Sequence, residues 1–183
     1  METLPTRLLT KGPEQLTPIL CNLKIVPEKY ENPSDVINVL QYVPNKSYDH
    51  AAYGIGCPNA ADEADRYYKH IREIHNITEG SNLRHYIVGF DYSPELINTT
   101  TLPFIAYQIA LFFYPSYQVF YGIHEYNNTR GQYHIHFVVN TINILTGTHI
   151  PRTSAFRNSF RDYVNNLTVN GNPLNLSFAN DYV

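Results

Sequence analysis

Between residues 117 and 144 the chain alternates apolar and polar positions, breaks, and resumes. Val119, Tyr121 and Ile123 alternate with less apolar partners, a polar run over residues 127–131 interrupts them, and a β-rich run follows, so two strands joined by a turn are predicted. Upstream, residues 19–26 have strand character and are expected at a sheet edge, ended by Pro27. Asn32 or Ser34 caps a short helix whose Val36, Ile37, Leu40 and Val43 recur at helical spacing and which Pro44 stops. Tyr42 lies beside that apolar stripe, where its hydroxyl can face a cleft.

Residues 59–77 give the clearest helix. Asn59 is its expected cap, Ala64, Tyr67, Ile71, Ile74 and Ile77 its apolar face, and Asp65, Arg66, Lys69, Arg72 and Glu73 a solvated back. Tyr86, Val88 and Phe90 alternate in a further strand. A helical region opens at Pro94 and runs to Phe113 with a break at Pro103, and Ser154 caps a helix carrying Phe156, Phe160, Tyr163, Val164 and Leu167. The tail from Leu174 follows neither period. The order β, α, α, β, α, β, β, α predicts an α+β fold, an antiparallel β-sheet palm with helices packed on one face.

At 183 residues, 43% apolar and 16% charged, the chain is one globular domain over 1–183, with the proline-spotted residues 1–15 as an arm. Its formal net charge of −3 offers no general attraction for nucleic acid. DNA would have to be held by a local basic groove, by a metal, or by a further region, and the acidic balance suggests the catalytic part of a longer protein. Arg7, Lys11, Arg152, Arg157 and Arg161 are the candidate phosphate contacts, although each is more simply a solvated charge. Sixteen tyrosines supply stacking faces suited to bases or sugars, beyond those the core consumes. Cys21 and Cys57 are isolated, which points to free thiols and a reducing, cytoplasmic setting. No stretch is long and apolar enough to span a bilayer, so no membrane insertion is expected.

Three histidines change the picture. His134 and His136 project from one face of their strand, about 7 Å apart at Cα, and a turn at residues 127–131 returns His124 opposite them. A His-x-His pair can be a simple hydrogen-bonded pair. Adding His124 favours a metal site with open positions for a substrate oxygen. Such a cation polarises a phosphoryl group. A tyrosine hydroxyl, ordinarily near pKa 10, becomes a useful nucleophile only when a base takes its proton and the phosphate is held in line.

On these residues the chain resembles the relaxases, the mobilisation nucleases of conjugative elements, in the VirD2/MobA-like group of the HUH endonuclease superfamily. DVINVLQYVPNKS looks like the family's first motif, a helix ending in the nucleophilic tyrosine, here Tyr42; RHYIVGFDYSPE is similar to the second-motif strand; YQVFYGIHE with YHIHFVVNTINILTG is similar to the third. The resemblance covers roughly residues 35–151. It implies a site- and strand-specific DNA nickase acting at an origin of transfer, forming a 5′-phosphotyrosine and a free 3′-OH and later rejoining the strand. His124, His134 and His136 would hold Mg²⁺ or Mn²⁺, and Asn140 would orient a ligand or the phosphate. The partners implied are single-stranded origin DNA, accessory relaxosome proteins and the coupling protein of a type IV secretion system. Glu125 is expected to point away from the site.

Gly89 stands where the second motif usually carries a serine, and the segment before His134 is longer than usual. Tyr48, Tyr53 and His50 compete with Tyr42 as nucleophile. Three other functions are open: a rolling-circle replication initiator using Tyr163, a cupin-like metal oxygenase, which would lack helices and place a carboxylate where Asn140 stands, and a non-catalytic single-strand binding module.

Overall fold

The computed structural model describes residues 16–27, 30–126 and 132–179. The arm at residues 1–15, with Arg7 and Lys11, and the turn expected at residues 127–131 lie outside them. Among the described residues seven strands form one sheet: β1 (Ile19–Ile25), β2 (Tyr53–Ile55), β3 (Leu83–Phe90), β4 (Val119–Glu125), β5 (Tyr133–Asn140), β6 (Thr168–Val169) and β7 (Asn172–Phe178). Their order is β2-β4-β5-β3-β1-β7-β6. Four helices complete the fold: α1 (Pro33–Lys46), α2 (Ala61–Ile74), α3 (Leu102–Ala110) and α4 (Ser154–Asn165). This is the expected α+β palm, and its helix content sets it apart from the cupin alternative.

Two cores explain the arrangement. Tyr86, Val88, Val119, Ile123, Ile135 and Phe137 face one way, against Ile105 and Ile109 of α3 and Phe160 and Val164 of α4. On the opposite face Phe120, Val138 and Leu83 pack against Val36, Leu40 and Val43 of α1 and Ala64 and Tyr68 of α2. Helices therefore cover both faces, not one. Strands β3, β4 and β5 are buried at nearly every position because both of their faces are covered, and the burial alternation that marks a one-sided strand is lost there.

β1 is interior to the sheet. The chain after α4, ambiguous in sequence, supplies β6 and β7, and β7 pairs parallel with β1, the exception in an otherwise antiparallel sheet. Exposed Leu20, Asn22 and Lys24 alternate with buried Ile19, Cys21 and Leu23, so β1 is covered on the α3/α4 face and open on the other.

Several local expectations shift. Pro44 sits inside the last turn of α1, which continues to Lys46. Asn59 does not cap α2. Its carboxamide oxygen accepts from the Gly54 N–H at 2.8 Å, and Ala60 takes the cap position. The buried face of α2 is rotated from the expected one: Tyr67 and Ile74 are exposed, whereas Asp65 and Arg72 are buried. The Arg72 guanidinium is buried because it donates to the carbonyls of Glu79 and Ser81, ending the segment that leads into β3. Pro103 lies in the first turn of α3 and opens that helix instead of breaking it. Thr153, not Ser154, caps α4, its hydroxyl accepting from the Phe156 N–H.

Candidate functional site

β4 and β5 pair with His124 directly opposite His134, so His124, His134 and His136 share the face on which α1 packs. One ring nitrogen from each lies within 4.8 Å of the other two. The rings of His124 and His136 are 4.1 Å apart at their centroids, and those of His134 and His136 4.8 Å.

Hydrogen bonds set which nitrogens face inward. The Nε2–H of His124 donates to the Val43 carbonyl at 2.8 Å, leaving Nδ1 with its lone pair. That carbonyl is free because it belongs to the last turn of α1, where the Ser47 N–H bonds to Pro44 instead. His136 Nδ1 meets His85 Nε2 at 2.7 Å, and His85 Nδ1 meets the Tyr30 hydroxyl at 3.4 Å. With Nδ1–H of His136 as donor, its Nε2 is the nitrogen left for the cluster. His136 Nε2 and His134 Nδ1 are both buried without a hydrogen-bond partner.

Burial holds these rings neutral. It lowers His134 and His85 to about 4, helped by the mutual repulsion of the histidine charges, and depresses His136 furthest. His124 is lowered by burial and by nearby Lys46, against the opposing bond to Val43. Neutral imidazoles with unshared inward lone pairs are what a divalent metal requires, so the three residues fit a metal ion.

α1 lays Tyr42 over this cluster, its ring centroid 5.2 Å from that of His124 and 5.6 Å from that of His136, both edge-on. Tyr42 is 43% exposed. With Lys46, Tyr126 and His134 it borders an open cleft of about 150 Å³. Two features permit the close approach. Gly122 on β4 faces α1, and a β-carbon there would stand 2.6 Å from Val43 Cγ1. Beyond the helix end, the Ser47 hydroxyl and the Tyr48 N–H both donate to the Ile123 carbonyl at 3.0 Å.

The rival nucleophiles are elsewhere. Tyr48 and Tyr53 pack on the α3/α4 face, Tyr53 stacked on Tyr121 and bonded to Asp49, and His50 is exposed in the following loop. Tyr163 also lies on that far face, donating to the Gln108 carbonyl at 2.9 Å. Asn140 is not brought to the cluster: four residues beyond His136 on β5, it lies about 13 Å along the strand. Its amide is fully buried, donating to the Gln118 side chain at 2.7 Å and the Tyr68 carbonyl, while its oxygen accepts from the Ile142 N–H. It ties β5 to α2 and to the residue just before β4. Glu125, expected to point away, is half-buried and borders the Tyr42 cleft, because it is the last residue of β4.

Gly89 lies opposite His134 in the β3/β5 register. A β-carbon there would meet the Tyr126 hydroxyl at 3.1 Å and Asn22 Oδ1 at 3.2 Å, so these two polar groups occupy the flank of His134 where a serine would stand. Tyr126 also lies against the His134 ring, centroids 4.4 Å apart. Sequence patterning missed His85, Gly122 and Tyr126. His85 had one available signal, the same strand parity as Gly89.

Residues 42–170 match the family model "Relaxase: MobA/VirD2-like, nuclease domain". The chain belongs to the MobA/VirD2-like relaxase family. The matched span holds Tyr42, all three clustered histidines and His85 of this relaxase domain. A solved structure described as "Molecular Basis of Vancomycin Resistance Transfer in Staphylococcus aureus" shares the fold, with a TM-score of 0.55 at 15% identity over 89% of this chain and 100% of that one. No curated protein matches the relaxase in sequence. Among its described residues no helix is long and apolar enough to cross a membrane.

Proposed function

We propose that this relaxase cuts one strand of DNA at an origin of transfer through Tyr42. The Tyr42 oxygen forms a bond to the scissile phosphorus, the P–O3′ bond breaks, and the products are a 5′-phosphotyrosine and a strand ending in a free 3′-OH. The reverse step rejoins the strand. His124, His134 and His136 would hold Mn²⁺ or Mg²⁺, which when bound supplies positive charge to the phosphoryl oxygens. The observation that carries the reading is the Tyr42 ring set edge-on over two of the three histidines.

The chain's own groups do the positioning. The His124 bond to Val43 fixes the last turn of α1, and with it the tyrosine four residues before Lys46. Lys46 borders the same cleft and offers a cation to a phosphate beside the cut. The setting of such a reaction is the cytoplasm, with accessory relaxosome proteins presenting the origin and a type IV secretion coupling protein receiving the covalent complex.

Incubation with Mn²⁺ and a single-stranded origin oligonucleotide should give a covalent adduct of retarded mobility, absent with Tyr42→Phe. An adduct that persists in that variant rules out Tyr42, and none with any origin-derived strand leaves a binding module.

A further inference from the structure

Among the described residues five cations have neither an ion pair nor a buried carbonyl partner: Lys24, Lys46, Arg84, Arg152 and Arg157. Three of them converge. Arg84, Arg152 and Arg157 rim a groove of about 280 Å³ at the end of the sheet where β1 finishes and β3 begins, floored by Leu23, Ile25 and Phe178. No carboxylate among the described residues lines it.

The groove is built against its own electrostatics. Arg152 immediately precedes the Thr153 cap of α4 and Arg157 lies near the start of that helix, whose first turn holds no acid. The positive end of the helix dipole repels both guanidiniums, a cost that an arriving anion reverses. Behind them lies the buried Tyr86 hydroxyl, near enough to Arg84 and Arg152 for both to oppose the rise that burial causes in its pKa.

The groove and the histidines lie on opposite faces of the sheet, since floor residues Leu23 and Ile25 pack on the α3/α4 side, and a strand that reached both would pass around the end of the sheet. Lys24 sits between floor residues Leu23 and Ile25 but projects from the opposite, uncovered face of β1, the histidine face. It pairs in register with Ile87, which pairs with His136. Lys24 thus adds a cation on the histidine face, beside the end of β1 where the groove opens on the other side. Arg84 is five residues before Gly89, the partner of His134, or about 17 Å along β3.

We propose that this groove is a second nucleic-acid site, in which Arg84, Arg152 and Arg157 hold phosphodiesters of the same DNA strand a few nucleotides away from the cut. The apolar floor accepts a sugar or an unstacked base. The proposal rests on the nickase reading for its substrate, and it gives a chain of net charge −3 a local means of gripping that substrate.

The test is fluorescence anisotropy with labelled oligodeoxythymidylate, titrated over a series of salt concentrations. Each single-strand phosphate contact contributes about 0.7 to the slope of log K against log salt, so the triple variant Arg84→Gln, Arg152→Gln, Arg157→Gln should lose a slope of about 2 and bind at least about tenfold more weakly. Its Mn²⁺ affinity should match wild type. Should the triple variant unfold, judged by circular dichroism, the exposed Arg152→Gln alone should lose a slope of about 0.7. An unchanged slope, or competition by polyglutamate as effective as by unlabelled oligonucleotide, overturns the proposal. Binding is measured in the Tyr42→Phe background as well. Failure of adduct formation in otherwise wild-type protein therefore strikes only the nickase reading, and failure of the slope change strikes only the groove.

Discussion

Replacing His85 should weaken the metal site without touching it. His85 accepts the buried hydrogen bond that holds His136 Nδ1 at 2.7 Å, and both rings are almost wholly buried, at 6% and 3% exposure. In His85→Leu the His136 N–H keeps its burial and loses its acceptor, a cost of about 1–3 kcal/mol in folding stability. The ring is also freed to turn or to change tautomer, which would take Nε2 away from the cluster. Partners of this kind are commonly worth about 10- to 100-fold in metal affinity. Calorimetric titration of metal-free protein with Mn²⁺ reads the second effect and urea unfolding the first. His85→Gln places an amide oxygen near the lost Nε2 and should recover much of the metal affinity. Equal Mn²⁺ affinity in wild type and His85→Leu, or no advantage of Gln over Leu, would refute the role assigned to the bond.

Gly122→Ala should push α1 from the sheet, since its methyl would stand 2.6 Å from Val43 Cγ1; a loss of about 1–3 kcal/mol in urea unfolding is expected, with a larger fall in adduct yield than in Mn²⁺ affinity. Asn140→Ala should cost about 1–3 kcal/mol because it strands the Gln118 side chain, yet leave Mn²⁺ affinity unchanged; a large drop in affinity would return Asn140 to the site. The metal-free protein should lose stability as pH falls from 6.5 to about 4. His85 and His134 sit near 4 when folded, against an ordinary 6.5, so the unfolded chain takes up protons first, at no more than about 3 kcal/mol for each; a urea midpoint equal at pH 7 and pH 5 would contradict this. The double variant His134→Ala, His136→Ala should show no tight Mn²⁺ site by calorimetry, and unchanged affinity would remove the cluster.

The hairpin was legible because its signals are local. Two strands, a polar break and histidines of matching parity fix a shared face within about twenty residues, and the β4/β5 register follows. The helix carrying Tyr42 was legible for the same reason. What depends on distant pairing was not. β1 looked like an edge because the strand that covers it, β7, arrives some 150 residues later with little periodicity. Arg72 looked solvated because its partners are backbone carbonyls that no side-chain pattern records, and Asp65 because its pairing with Lys69, four residues on, is equally at home on an exposed helix face. Asn140 has the right parity for the site, and parity alone cannot show how far along the strand a metal sits.

His124 has two jobs that a single hydrogen bond joins. Its Nδ1 faces the cluster only because Nε2–H is engaged by Val43, and Val43 is held there by the glycine gap at Gly122 and by the Ser47 and Tyr48 bonds to Ile123. The tyrosine and the histidines come from elements about eighty residues apart, so neither can order the other through the chain. The order comes through this contact. The tautomer that leaves a lone pair for a metal is also the one that pins the end of α1, and the pinned end is what sets Tyr42 above the cluster. A helix displaced from the sheet would therefore lose its tyrosine position and release the His124 tautomer together. The same end of α1 supplies the acceptor: because the Ser47 N–H bonds back to the Pro44 carbonyl and not to that of Val43, the last turn leaves the Val43 carbonyl available to the histidine.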